Sequence, residues 1–175
     1  MNKGIIALLA LLVVITILGF TLPTEFDIER KVQINAPKEK IHALVGELKQ
    51  WDEFMPWKDD DPTMEVTFGD KTTGVGAMQK WTGKDGDGEL TFTRCDPATG
   101  IAYKMFFING EERMPSTASM NYTEKNGGVE VSWVMSGNLD MAFGGGFIKM
   151  LMTSSINDMF DTGLGRLKEK AEANG

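Results

Sequence analysis

Nucleophilic, metal and phosphate chemistry each require particular side chains to converge, and this 175-residue chain supplies few of them. It has one histidine, His42, and one cysteine, Cys95. A Ser/His/Asp arrangement would have to recruit His42, and a thiol nucleophile at Cys95 finds no second histidine. A lone cysteine excludes an internal disulfide framework and cysteine-cluster zinc sites, and a lone histidine excludes His-rich metal sites. Asp59-Asp60-Asp61 suggests a cation, but adjacent side chains on an extended chain point apart, so a solvated acidic loop is expected. The run from Lys84 to Glu89 opens like a calcium loop, yet Leu90 and Asp96 stand where glycine and glutamate are needed, and a hairpin turn fits it better. Gly144-Gly145-Gly146 lacks the Lys-Ser/Thr of a phosphate loop and reads as a hinge before a helix.

What the chain has in quantity is adaptable apolar side chains. Eleven of its twelve methionines lie beyond residue 23, with ten Phe and four Trp in the whole chain. Methionine is flexible and polarisable, so it suits surfaces that accept varied apolar shapes, though it also fills irregular cores. Met78, Met105, Met135, Met150 and Met159 fall on expected strands or the last helix and are candidate ligand contacts. Trp81 and Trp133 lie in expected strands, where a bulge would decide which face each takes. Trp51 and Trp57 follow the first helix, either packing their loop onto the sheet or standing at the rim of an apolar cavity or as a plug in it. Should an apolar ligand carry an acidic group, Arg94 and Arg113 are the candidate cations, and Arg94 on its strand either reaches inward or is a surface arginine. No cofactor is implied by any of these residues.

These side chains must be positioned by elements whose periods are visible. Phe26, Ile28, Val32 and Ile34 alternate with polar residues, giving a half-buried strand. Asn35-Ala36-Pro37 ends it and starts a helix over Lys38–Leu48, with Ile41, Leu44, Val45 and Leu48 on one face. His42 falls off that stripe and is expected in solvent. Six short strands follow, at 64–68, 75–83, 89–95, 101–108, 116–123 and 129–137, with turns at 69–73, 84–88, 96–100, 109–115 and 124–128. Last, Ile148, Leu151, Met152, Ile156, Met159, Phe160, Leu164 and Leu167 mark a long amphipathic helix that starts after Gly146 and frays from Glu169. An antiparallel meander needs a cover on one face, and this helix is long enough to provide it.

Gly4 to Leu22 is uncharged for 19 residues and would span about 28 Å as a helix, close to the hydrocarbon thickness of a bilayer. The exit at Gly19–Pro23 lacks a clear small-x-small cleavage site, so residues 1–23 are expected to be an uncleaved anchor rather than a signal peptide. Lys3 before the span, and Glu25, Asp27 and Glu29 after it, place the N-terminus in the cytoplasm and the domain outside, in a periplasmic setting. The chain is 42% apolar with formal charge −7. Without residues 1–23 the charge is −8, a poor start for nucleic-acid binding. Residues 24–175 suit one domain.

The motifs Ile34-Asn35-Ala36-Pro37, Trp51-x-x-Phe54-x-Pro56-Trp57, Gly74-Val75-Gly76 with Trp81, and Val131-Ser132-Trp133-Val134-Met135-Ser136-Gly137 are together similar to the START-related, helix-grip superfamily. Within it the chain resembles the polyketide cyclase/dehydrase and lipid-transport group, from about Phe26 to Leu167. The resemblance implies an α+β helix-grip fold: a curved antiparallel sheet around a long C-terminal helix, with a hydrophobic cavity between them. It implies a hydrophobic small molecule or lipid as partner, at a membrane reached through the N-terminal helix. The polar acid–base set of cyclase relatives has no match here, so a binding domain is expected ahead of an enzyme acting on an apolar polyketide-like substrate.

Overall fold

The computed structural model describes residues 3–84, 86–139, 141 and 143–173; Asp85, in the turn expected before Gly88, lies outside them. Helix α1 (Lys3–Thr21) leads into β1 (Glu25–Ile34), α2 (Lys38–Val45) and a 3-10 turn over Leu48–Glu53. There follow α3 (Trp57–Asp60), β2 (Glu65–Phe68), β3 (Met78–Thr82), β4 (Asp87–Asp96), β5 (Gly100–Asn109), β6 (Glu112–Lys125), β7 (Gly128–Asn138) and α4 (Gly145–Glu172). All seven strands form one antiparallel sheet in the order β1-β7-β6-β5-β4-β3-β2.

One face of the sheet alternates inward. Val129, Val131, Trp133 and Met135 of β7 are buried, as are Ala118, Met120 and Tyr122 of β6. Against that face lies α4, which buries Ile156, Phe160, Leu164 and Leu167. The stripe read from the sequence is covered only from Ile156 onward, because the sheet stops short of the helix start: Ile148 is 43% and Leu151 73% exposed. The C-terminal end does not fray at Glu169. The Glu172 carboxylate accepts from the Asn35 N–H at 2.7 Å, Lys168 Nζ donates to the Gln33 carbonyl at 2.9 Å, and Ala171 is buried.

Three further expectations change. Val75 is exposed in a turn, and β3 begins at Met78. The turn expected over 109–115 is only two residues long, and β6 continues through Pro115, where it pairs with β5 but not yet with β7. A proline is compatible with a strand there, since no second neighbour needs its missing N–H. The acidic triplet is not simply solvated: Asp59 and Asp60 belong to α3, and Asp61 is buried. Asp61 accepts from the Thr63 hydroxyl at 2.6 Å and the Lys84 N–H at 2.8 Å, clipping the two loops together. Those bonds, the Thr63 hydroxyl first, hold its carboxyl below the usual carboxylate range.

Gly144 precedes α4 and Gly145 and Gly146 open it, the first answering to backbone conformation and the other two to close packing. Gly144 takes φ 80°, a left-handed conformation suited to glycine. A Cβ on Gly146 would fall 2.2 Å from Leu22 Cβ, so the helix start passes directly beneath the segment leaving α1.

Candidate functional site

Between the inner face of the sheet and α4 lies a cavity of about 400 Å³. Its buried floor is Leu90 on β4, Tyr103 on β5, Trp133 and Met135 on β7, and Ile156 and Phe160 on α4. These positions follow from strand parity: Tyr103, Met105 and Phe107 are two residues apart and line the same cavity. Met152, Ile156, Met159 and Phe160 share one helical stripe. Asp60, Asp87, Asn109 and Ser155 are exposed at its rim.

Aromatic rings form much of the wall. Trp57 stacks on Trp81 with centroids 6.4 Å apart and planes 26° from parallel, and Phe107 meets Trp81 edge-on at 6.0 Å. Gly88 allows this, since a Cβ there would lie 2.0 Å from the Trp81 ring. Opposite, Trp133 stacks on Phe160 with centroids 3.9 Å apart and planes 8° from parallel, an aromatic contact of the kind that adds about 1 kcal/mol beyond its buried area. Trp51 is not at the rim. It is 1% exposed, donates Nε1–H to the Val45 carbonyl at 2.9 Å and meets Tyr103 edge-on at 5.5 Å.

One polar pair is embedded in this surface. Trp133 Nε1–H donates to the Tyr103 hydroxyl at 3.1 Å across the intervening strand β6, where Ala118 stands opposite Tyr103 and Met120 opposite Trp133. No described residue accepts the Tyr103 proton. Burial pushes this phenol well above its ordinary range, more than the Trp133 bond lowers it, so the hydroxyl stays protonated as a donor.

Of the candidates, Trp57, Trp81, Met105, Trp133, Met135 and Met159 are brought together at the cavity. Met78, Arg94 and Met150 are not. Met78 points to the other side of β3, with its Cε against Gly69. Met150 is 70% exposed, because it falls off the helical stripe. Arg94 is displaced by a bulge. Thr93 is the extra residue between Phe92, paired with Tyr103, and Arg94, paired with Ala102. The alternation that faces Leu90 and Phe92 inward is thereby reversed. Arg94 lies on the outer face, where Nη2 donates to Asn121 Oδ1 at 2.5 Å and the Ile101 carbonyl at 3.2 Å. Arg113 is also outside, over the Phe106 ring and paired with Glu89. Neither lines the cavity, and among the described residues its only charged lining groups are the rim carboxylates Asp60 and Asp87.

The same bulge turns Cys95 inward at the opposite end of the sheet. There His42 is half-buried rather than exposed, with Nε2 3.6 Å from Cys95 Sγ and Nδ1 3.4 Å from the Tyr122 hydroxyl. Burial lowers the His42 pKa, opposed by the charge of Asp96. Sequence reasoning missed Tyr103, Phe107, Met152 and Phe160 as cavity residues; parity with Met105 and helical spacing from Met159 were the available signals.

The polyketide cyclase/dehydrase and lipid transport family matches this chain over residues 25–172. The chain belongs to that family. Solved structures agree on the fold. A protein from Mesorhizobium loti superposes with TM-score 0.64 at 12% identity, covering 86% of this chain and 99% of its own. One from Rhizobium leguminosarum gives 0.64 at 12% identity, covering 85% and 95%, and one from Thermus thermophilus gives 0.58 at 17%, covering 86% and 99%. No curated protein sequence matches the chain. The family carries the helix-grip architecture seen here, in which hydrophobic-ligand binding is typical.

Proposed function

We propose that the protein binds one apolar small molecule or lipid in the cavity between sheet and α4, tethered to a membrane by α1. The observation that carries this reading is the cavity itself: about 400 Å³, walled by tryptophan, phenylalanine and methionine, with one buried hydroxyl donor. Sites for small apolar ligands have this composition, with few polar groups fixing orientation. Tyr103 selects a ligand that buries a neutral acceptor oxygen, such as a ketone, ester or alcohol. A buried carboxylate would have no cation to offset its desolvation. An acid–base enzyme would need an ionisable group beside the bound molecule, and the two carboxylates present are on the solvent rim.

Residues 1–23 form the anchor in this reading and residues 24–175 the domain, held outside the cytoplasm. Helix α1 is 19 residues long with mean hydropathy 2.8, long and apolar enough to cross a membrane. Mass spectrometry of the organic extract of the purified full chain tests the binding. A neutral apolar species is expected in stoichiometric amount, and in Tyr103→Phe its oxygen-bearing members are depleted several-fold. Extracts containing only the lipids of the detergent micelle, identical in both proteins, would overturn the reading.

A further inference from the structure

The start of α4 is unlike the rest of the domain surface. Met150 and Leu151 are 70% and 73% exposed, and Met141, Phe143, Phe147 and Ile148 are exposed beside them. Exposed apolar side chains scattered singly need no explanation, but a contiguous group marks an interaction surface. From Met141 to Asn157, Lys149 is the one charged residue among those described, and its Nζ reaches back to the Glu25 carbonyl at 3.1 Å.

What covers this surface follows from where it is attached. The Gly144 N–H donates to the Gly19 carbonyl at 2.9 Å. Phe143 meets Phe20 edge-on at 5.1 Å and fits against Gly19, where a Cβ would fall 2.2 Å from its ring. The start of α4 is therefore packed on the last turn of α1. If the apolar length of α1 fills the bilayer, about 28 Å, its last turn lies at the lipid–water boundary, and the exposed residues of α4 lie beside it.

Strand direction places the cavity at the same end. β1 starts at Glu25 opposite Asn138, where β7 ends. β5 ends at Asn109 opposite Glu112, and β4 starts at Asp87 opposite Ile108. The rim residues Asp87 and Asn109 thus belong to the end of the sheet that α1 enters, whereas His42, Cys95 and Tyr122 mark the far end. On α4 the cavity lining begins at Met152, directly after Leu151.

We propose that the first two turns of α4, with Met141 and Phe143, are seated in the surface of the bilayer beside α1, so that the α4 lip of the cavity mouth meets lipid while the Asp60 and Asp87 side of the rim stays in water. This rests on reading α1 as a membrane span. An apolar ligand then passes between bilayer and cavity along the apolar α4 lip. The seat is hydrophobic rather than electrostatic, since it presents no cluster of lysine or arginine to anionic headgroups.

The test uses the full chain in phosphatidylcholine vesicles, carrying Cys95→Ser and a single environment-sensitive fluorophore. The label is attached through Met150→Cys, through Leu12→Cys within α1, or through Thr123→Cys at the far end. Nitroxide on a lipid acyl chain should quench the labels at positions 12 and 150 several-fold more than the label at 123. Quenching at 12 but not at 150, with 150 as open to aqueous iodide as 123, would overturn the seat and leave the anchor standing. A label at 150 shielded from both quenchers would mean that protein, such as a second copy, covers the patch, and would overturn it too. A label at 12 untouched by lipid nitroxide would overturn the anchor and the seat with it.

Discussion

At the scale of single residues, two half-buried or buried groups do opposite things. Tyr103 is pushed by burial away from titration and kept as a neutral donor facing an apolar space. His42 is also penalised by burial when charged, but its ordinary value lies within reach of physiological pH. Its folded pKa is below the unfolded value of about 6.5, so the unfolded chain binds its proton more readily. The stabilisation from a neutral His42 is complete above that value and is lost as pH falls through the folded pKa. Urea denaturation of the full chain in detergent should show a midpoint that drops from pH 7 to pH 5, with a flatter profile in His42→Gln. An unchanged slope in the variant would show that other groups carry the effect. Glu29, Asp61 and Glu124, held low by their hydrogen bonds, act only at more acidic pH.

At the scale of elements, β4 shows how one residue reassigns several. Plain alternation from Leu90 and Phe92 carries Arg94 inward and Cys95 outward; Thr93 reverses both. Its deletion would leave Phe92 opposite Tyr103 and Arg94 opposite Ala102 as consecutive pairs, so plain alternation would then keep Arg94 on the outer face. Stranding an uncompensated charge in the core costs on the order of 3–5 kcal/mol. Denaturation of a Thr93 deletion should therefore show a folded protein with a loss well below that size. Thr93→Val, which keeps the residue count at an exposed position, should change stability by less than about 0.5 kcal/mol. A loss of the full size in the deletion would mean that Arg94 is driven inward and that the pairing with β5 does not set its face. Bulges of this kind are why cavity residues were only partly legible. The seven strands, two principal helices and meander order were readable from hydrophobic period and turn residues, because those signals are local. Trp81, Trp133, Met105 and Met135 could be placed on strands, and Met159 on the last helix. Which faces turned inward depended on register, bulges and where α4 overhangs the sheet, which are tertiary outcomes. Met78 and Arg94 went astray for the first two reasons. Ile148 and Leu151, expected on a buried stripe, are exposed for the third.

At the scale of the whole molecule, the sheet has two chemically distinct ends. The far end carries the His42–Cys95–Tyr122 contact, polar and half-buried. The end at which α1 enters carries the cavity rim, the overhanging start of α4 and its exposed methionine, leucine and phenylalanine side chains. Residues 24–175 have charge −8, so membrane attachment of the proposed kind would gain nothing from anionic lipid and would fall to apolar contact. If an apolar molecule occupies the cavity, photolabelling will find it there. A long-chain ketone bearing a diazirine, irradiated with the full chain and mapped by peptide mass spectrometry, should label segments containing Tyr103–Phe107, Trp133–Met135 and Met152–Phe160. An excess of unlabelled ketone should suppress that labelling. Label confined to α1 and the outer face of the sheet, insensitive to competitor, would contradict the account.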